Sequence, residues 1–445
     1  MNTPICDFVK GYAKTNTVRL HMPGHKGEKL LGIEHLDITE LCGADSLYEA
    51  DGIIKESEEN VSALFGSKTF YSTEGSSQCI RAMLYLAVLY AKQQGKDPLI
   101  LACRNAHKTF LSAAALLDFE IAWMYPQNDE AYLSCKITAE KLENTLKDMP
   151  EMPVAVYITN PDYLGNCVDI KSIADVCHKH GVMLIVDNAH GAYLKFLPES
   201  LHPIDLGADI CCDSAHKTLP VLTGGAYLHI SDSAPAMFSE NAKNALSLFG
   251  STSPSYIILQ SLDAANRYIS GEYPQKLEAF ISGVSKIKAD LVERGFSFVG
   301  NEPLKLTLNT KKYGYYGFEF AEVLRKNNAV CEFSDPDFVV LMFTPETGAD
   351  NLEKLKNILL SVPRKKEINE ICPVFHESEK VISVREAVFS ACETIPVSES
   401  IGRILAAPNV SCPPAVPIVI CGERIDKHAV YCFGYYGIKS CTVIK

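Results

Sequence analysis

The chain has 445 residues, 47% apolar and 22% charged, so it is an ordinary globular protein long enough for more than one packed unit. A formal net charge of −12 argues against a broad nucleic-acid-binding face. The longest apolar run, Met83 to Ala91, is far short of the roughly 20 residues a membrane span requires.

The first residues, MNTPICDFVKGYAK, have no basic segment followed by an apolar one, so no secretory signal is expected and the protein is placed in the cytoplasm. The 16 cysteines agree, because none falls in a C-x-x-C spacing and several lie within apolar runs, as Cys103, Cys211 and Cys212 do. From about residue 65 to 235, short apolar runs alternate with helical patterns. The predicted strands are Thr69–Ser72, Leu99–Cys103, Ile121–Tyr125, Val154–Thr159, Met183–Asp187, Asp209–Asp213 and Ala226–Ile230, and the predicted helices include Ser76–Lys92 and Ile170–His180. Near-continuous apolar strands separated by helices predict a mostly parallel sheet covered on both faces. Beyond about residue 270 the texture changes. Leu277, Phe280, Ile281, Val284, Ile287 and Leu291 trace one face of a helix that Gly295 stops. Short strands (Leu304–Leu308, Phe338–Phe343), further helices (Phe318–Arg325, Leu352–Leu360) and a capping box at Ser383-x-x-Glu386 follow. The tail from Ser411 to Lys445 reads as proline-rich and then strand-like. We therefore expect an N-terminal arm (1–45), a large domain (46–270) and a smaller C-terminal α/β domain (271–445).

In open α/β sheets ligands gather at the carboxyl ends of the strands, which selects a short set of polar residues. Thr73-Glu74-Gly75-Ser76-Ser77-Gln78 leads into a helix, and its backbone N–H groups and hydroxyls suit a phosphate. Simple N-capping by Ser76 is the plainer alternative. Arg104-Asn105-Ala106-His107-Lys108 offers an imidazole that either stacks on a planar ligand or is merely solvated. Asn160-Pro161-Asp162 reads as a turn or as a ligand contact. Asp187, closing an apolar strand, needs a cation or hydrogen-bond donors, which a protonated heterocyclic nitrogen supplies. A metal held by Asp187 and His190 is the weaker reading, since no third ligand accompanies them in a familiar spacing, and no metal is expected. Last comes Ser214-Ala215-His216-Lys217, where a lysine on a short turn between buried strands becomes a nucleophile toward aldehydes when desolvated. Phosphate cradle, stackable ring, strand-end carboxylate and semi-buried lysine together describe a site for pyridoxal 5′-phosphate.

These residues carry a family resemblance. His21-Met22-Pro23-Gly24-His25-Lys26-Gly27, Gly43-Ala44-Asp45, Asp187-x-Ala189-His190-Gly191-Ala192, Ser214-x-His216-Lys217-Thr218-Leu219-Pro220, Ser251-Thr252-Ser253-Pro254-Ser255-Tyr256 and Pro413-Pro414-Ala415-Val416-Pro417 with Gly422-Glu423 resemble the Orn/Lys/Arg decarboxylases. The resemblance is to the short branch without an N-terminal wing domain. It implies an aspartate aminotransferase-like large domain and a pyridoxal phosphate-dependent decarboxylase of arginine, lysine or ornithine that makes polyamine-pathway amines. It also implies a homodimer, or a higher oligomer, with shared active sites. Within it, Lys217 looks like the Schiff-base lysine, Asp187 the partner of the pyridine nitrogen, and His107 the stacking ring, with Ala189 on the opposite face. Gly75, Ser76, Ser77, Ser214 and His216 would hold the phosphate, His190 would line the cofactor, and Ser251 or Thr252 would come from a neighbouring subunit. Lys217 or His107 would return the proton to the substrate carbon. His25, Glu74, Asp162 and Glu423 are candidate substrate contacts. The sequence departs from the commonest family pattern at Glu74, Asp162, Asn188, Gly224 and Ala415. Aminotransfer on the same fold, which would want a carboxylate-binding arginine such as Arg385, Arg403 or Arg424, and a non-catalytic binding protein are the alternative readings.

Overall fold

The structure is a computed structural model that describes residues 1–126, 132–408 and 415–445. In chain order its elements begin with α1 (Pro4–Ala13), α2 (Ile53–Phe65), β1 (Lys68–Ser72), α3 (Ser76–Gln93), β2 (Leu99–Cys103), α4 (Lys108–Leu117), β3 (Glu120–Met124), α5 (Ala139–Asp148) and β4 (Ala155–Thr159). Next come α6 (Ile170–Lys179), β5 (Met183–Asp187), β6 (Ile210–Asp213), α7 (Ala215–Thr218), β7 (Ala226–Ile230), α8 (Ala236–Ser247), α9 (Tyr256–Ile269) and α10 (Tyr273–Glu293). The remainder comprises β8 (Phe298–Val299), β9 (Lys305–Asn309), α11 (Gly317–Lys326), β10 (Phe333–Ser334), β11 (Phe338–Met342), α12 (Ala349–Ser361), α13 (Val384–Val388), β12 (Cys392–Pro396), α14 (Lys427–Tyr435) and β13 (Ser440–Ile444).

The fold is α/β, and its main sheet has seven strands in the order β1-β7-β6-β5-β4-β2-β3. Two compact units divide the chain: Met1–Lys96 with Ile170–Lys276, and Asp97–Asp169 with Leu277–Lys445. In the first unit β5 and β6 are parallel, whereas β7 is antiparallel to both β6 and β1. Consequently β1, β5 and β6 point the same way, and β7 starts on the rim where they end. Every residue of β5, β6 and β7 is buried, which is why these segments read as unbroken apolar runs. Phe65 at the end of α2 anchors the core here, with Phe196 at 5.3 Å and His229 at 4.4 Å between ring centroids. Burying an aromatic side chain of this kind stabilises the fold by roughly 1.5–3 kcal/mol.

In the second unit β2 is parallel to β3 and β4, and a separate sheet runs β10-β11-β9-β8, antiparallel throughout. The capping box at α13 is present: Ser383 Oγ accepts the Glu386 N–H at 3.1 Å, and Glu386 returns a contact to the Ser383 N–H at 2.9 Å. The tail differs from its sequence reading. Part of it, residues 409–414 with Pro413 and Pro414, lies outside the described residues. The rest of the tail, residues 415–445, contains the helix α14 before the strand β13. Aromatic and β-branched residues in Lys427–Tyr435 favour a strand, but Asp426 caps the Ala429 N–H at 2.7 Å, and Ala429, Cys432 and Phe433 bury one helical face. That face joins Leu405, Ile425, Cys441 and Val443 in a small core.

Candidate functional site

The rim of the first unit gathers most of the residues singled out above. α3 begins at Gly75, whose φ of +73° turns the chain out of β1, and no side chain among the described residues caps the helix start. Gly75 is therefore the N-cap, and the plain capping role for Ser76 does not apply. The Gly75 N–H donates to the Gly224 carbonyl at 2.7 Å, joining the turn after β1 to the turn before β7. Gly224 has φ of +99°, and a Cβ on it would lie 2.8 Å from the Thr73 carbonyl oxygen, so this chain cannot carry a side chain there without moving that backbone. Ser214, immediately past β6, donates from Oγ to Ser76 Oγ at 2.7 Å. Two buried hydroxyls, Ser76 in the first turn of the 18-residue α3 and Ser214 just past β6, thus meet at a helix start that no side chain among the described residues caps.

The single turn α7 carries His216 and Lys217. His216 Nδ1 donates to the Gly225 carbonyl at 3.0 Å, which leaves Nε2 as the ring's acceptor. Burial, reinforced by Lys217, holds its pKa below the usual imidazole value. Lys217 Nζ lies 3.1 Å from His190 Nε2. Asp187 is 2% exposed at the end of β5, and its Oδ1 accepts the Ala189 N–H at 3.2 Å and the Cys212 thiol at 3.8 Å. Ala189 is buried beside it. Ser251 and Thr252 are exposed, and the Ser251 N–H donates to the Glu74 carboxylate at 2.5 Å. Ser77 sits in the first turn of α3. His25 lies in the N-terminal stretch, with Nε2 3.2 Å from Asp37 and Nδ1 accepting the Gly27 N–H.

Beneath these turns is a group the sequence reading passed over. Asp213, the last residue of β6, is fully buried, and its Oδ2 accepts from His202 Nε2 at 3.2 Å and His229 Nε2 at 3.1 Å. Its Oδ1 accepts the Asn188 amide at 2.6 Å. Burial opposes ionisation, but the two imidazoles prevail and hold the carboxyl well below the usual range. His229 closes the network through Nδ1, 2.9 Å from Thr69 Oγ1. Metal-ligand atoms of His202, Cys211 and Asp213 come within 4.8 Å of one another. The Asp213 contacts are nevertheless accounted for as hydrogen bonds.

His107, Asp162 and Glu423 belong to the second unit. His107 is the N-cap of α4: its Nδ1 accepts the Thr109 N–H at 3.1 Å and lies 2.8 Å from Thr109 Oγ1. The helix start thereby fixes the ring and makes Nε2 the protonated nitrogen of the neutral form. Asp162 Oδ1 accepts the Leu164 and Asn166 N–H groups, each at 2.9 Å, and Oδ2 accepts the Asn166 amide at 2.8 Å. Its carboxylate thus closes its own turn. Glu423 Oε2 accepts the Ile420 N–H at 2.8 Å and lies 3.7 Å from Arg104. Burial raises the pKa of both acids.

Residues 3–294 match the family model of the Orn/Lys/Arg decarboxylase major domain, and residues 376–439 match that of its C-terminal domain. An arginine decarboxylase of Bacillus subtilis (strain 168) is 28% identical over 466 residues, covering 96% of this chain and 92% of the relative. From the same organism, the uncharacterized protein YaaO is 29% identical and covers 97% and 93%. Among solved structures, lysine decarboxylase A of Pseudomonas aeruginosa shares the fold with a TM-score of 0.80 at 17% identity, over 99% of this chain and 80% of that one. The major-domain match takes in Gly75, Lys217 and every rim residue described above, and the chain belongs to the Orn/Lys/Arg decarboxylase family.

Proposed function

We propose that the protein is a pyridoxal phosphate-dependent decarboxylase that converts arginine, lysine or ornithine to agmatine, cadaverine or putrescine, for polyamine synthesis in the cytoplasm. One observation carries this reading: Lys217, the Ser76–Ser214 hydroxyl pair, the uncapped start of α3 and the buried Asp187 stand together on one rim. That donor set fits the cofactor. The α3 start, Gly75, Ser76, Ser77, Ser214 and His216 would hold its phosphate, Asp187 its ring nitrogen, and Lys217 its aldehyde, with Ala189 and His190 lining the pocket. His107 would supply the stacked ring. The bound cofactor supplies a sink for the electron pair left when the substrate carboxylate departs as CO2.

The chain's own residues do the rest. Asp187, buried at the end of β5, would place its carboxylate against the ring nitrogen and favour its protonated form. His190 Nε2, 3.1 Å from Lys217 Nζ, would orient that amine, and Lys217 or His107 would act as the acid that returns a proton to the substrate carbon. Glu74, engaged by Ser251, and Asp162, engaged by its own turn, are weaker substrate contacts than the sequence suggests. Aminotransfer gains no support from the candidate arginines. Arg403 pairs with Glu393 and Arg424 with Glu379, each at 2.7 Å, and Arg385 donates to the Ala115 carbonyl at 2.8 Å.

We further read residues 1–45 as an arm that packs on a second copy of the chain. Val18, Leu20, Met22, Leu30, Leu31 and Ile33 are all exposed there, a density of apolar side chains that water does not favour. Ser251 and Thr252 would complete the partner's site.

Borohydride reduction of protein incubated with pyridoxal phosphate should fix the cofactor to the peptide carrying Lys217. CO2 release measured across arginine, lysine and ornithine should identify the substrate. Lys217→Ala should abolish the trapping and lower turnover by at least about a thousandfold. Protein that neither absorbs in the visible with added cofactor nor traps it would leave only the non-catalytic reading. Light scattering that returns a monomer would remove the dimer.

A further inference from the structure

The segment that carries His107 is held from both sides by the C-terminal part of its own unit. Arg104 follows directly on β2 and is 3% exposed. Its guanidinium donates to the Pro417 carbonyl at 2.8 Å and the Ile418 carbonyl at 2.9 Å, and lies 3.7 Å from the Glu423 carboxylate. Its central carbon lies 5.7 Å from the Trp123 ring centroid and 5.3 Å from that of Phe375. On the far side of His107, the Lys108 N–H donates to the Ala415 carbonyl at 2.8 Å. Ala415 is fully buried with φ of +57°, a conformation an L-residue holds only when its surroundings impose it. His107 therefore sits between two anchors, Arg104 and Lys108, both fastened to residues 415–418, while its ring is fixed by the cap on Thr109.

We infer that Arg104 is a positioning residue for His107, acting through the C-terminal segment, and that Glu423 serves this brace and not substrate recognition. The inference rests on the reading of His107 as the ring that stacks on the cofactor. A buried guanidinium is costly unless its donors are met; the fork of Arg104 fills two carbonyls and faces a carboxylate through Nη1 and Nη2, while Nε has no partner among the described residues. Lysine at 104 keeps the charge and loses the fork. The 104–108 turn would then retain α4 and lose its fixed distance from the C-terminal segment. Removing the charge of Glu423 leaves its oxygen able to accept the Ile420 N–H, so a glutamine there tests the electrostatic part of the brace alone.

Two measurements on the full-length protein decide the matter. In the absence of cofactor, Arg104→Lys should speed amide hydrogen exchange across residues 105–110 by about tenfold or more and leave the β5 amides unchanged. With cofactor loaded, kcat should fall by about tenfold while KM stays within about twofold, and the visible circular dichroism of the bound cofactor should weaken. Unchanged exchange over 105–110, or a raised KM with kcat preserved, would overturn the inference. Should Arg104→Lys fail to fold, Glu423→Gln carries the test in the same direction with a smaller effect. A KM raised about tenfold by Glu423→Gln at unchanged kcat and exchange would assign Glu423 to the substrate and sink the brace. If the wild-type protein takes up no cofactor, the proposed function fails, and the exchange measurement still decides the brace.

Discussion

Asp213 in the first unit and Asp335 in the second are both buried carboxyl groups next to a second polar cluster, yet they lie on opposite sides of the ordinary pKa. Asp213 receives three side-chain N–H donors, from His202, His229 and Asn188, and stays ionised with no exposure to water. Asp335 receives two backbone N–H groups, from Asp337 at 2.8 Å and Phe338 at 2.7 Å. The nearby cation, Lys311, is taken by Asp337 at 2.9 Å. Burial, with Asp337 adding to it, pushes the Asp335 carboxyl up to about 7. Depth alone therefore does not decide ionisation in this protein. The count of donors aimed at the oxygens, and the sign of the nearest uncommitted charge, do.

The largest break in that comparison is Asn188→Asp, which replaces a donor 2.6 Å from Asp213 by a second acid. One of the two carboxyls must then take up a proton. We expect a loss of about 3 kcal/mol at neutral pH, recovered as the pH falls toward ~4, in urea denaturation followed across pH. Asp335→Asn works in the opposite direction. With the native-state pKa raised to about 7, the unfolded chain ionises first, so stability is full below pH ~4 and declines as the pH climbs to about 7. Asparagine still accepts both N–H groups and carries no charge, so the decline should vanish and stability at pH 8 should rise by about 2 kcal/mol. A denaturation series whose slope is unchanged would show that Asp335 titrates normally. Asp45 sharpens the comparison at the smallest scale. Its carboxylate accepts backbone N–H groups of Asp51, Gly52, Ile54 and Lys55 at the start of α2, and although burial opposes it these donors lower its pKa. Asp45→Asn should cost about 1 kcal/mol above pH ~4 and flatten the loss of stability that the wild type shows below it.

The same contrast marks how far the sequence could be read. The central strands were legible because they are buried on both faces, and the reactive turns because polar residues interrupt those runs at a strand end. Ser76, Asp187, Ser214 and Lys217 each stand at such a break. The Ser383–Glu386 box was legible because both its partners lie within one turn. The Asp213 network was not. Its imidazoles come from a loop at residue 202 and the interior of β7, and only the antiparallel pairing of β7 with β6 sets His229 opposite Cys211, within reach of Asp213 two residues on. A single sequence carries no signal for strand direction at that point. Arg104 was visible within a motif, but its ties to Pro417 and Ile418 span more than 300 residues. Helix α14 was missed because its aromatic residues argue locally for a strand, and the cap at Asp426 with burial of one face overrides them.

Gly224 has a consequence for how this strand-end rim can change over generations. Its carbonyl secures the turn at Gly75, and its own Cα has no room for a methyl group against Thr73. A larger residue cannot enter here by a single substitution, because the backbone of the neighbouring turn at residues 73–75 must move first. The two turns form one heritable unit. A mutant library that varies position 224 alone should return glycine, whereas one that also varies residues 73–75 opens other solutions.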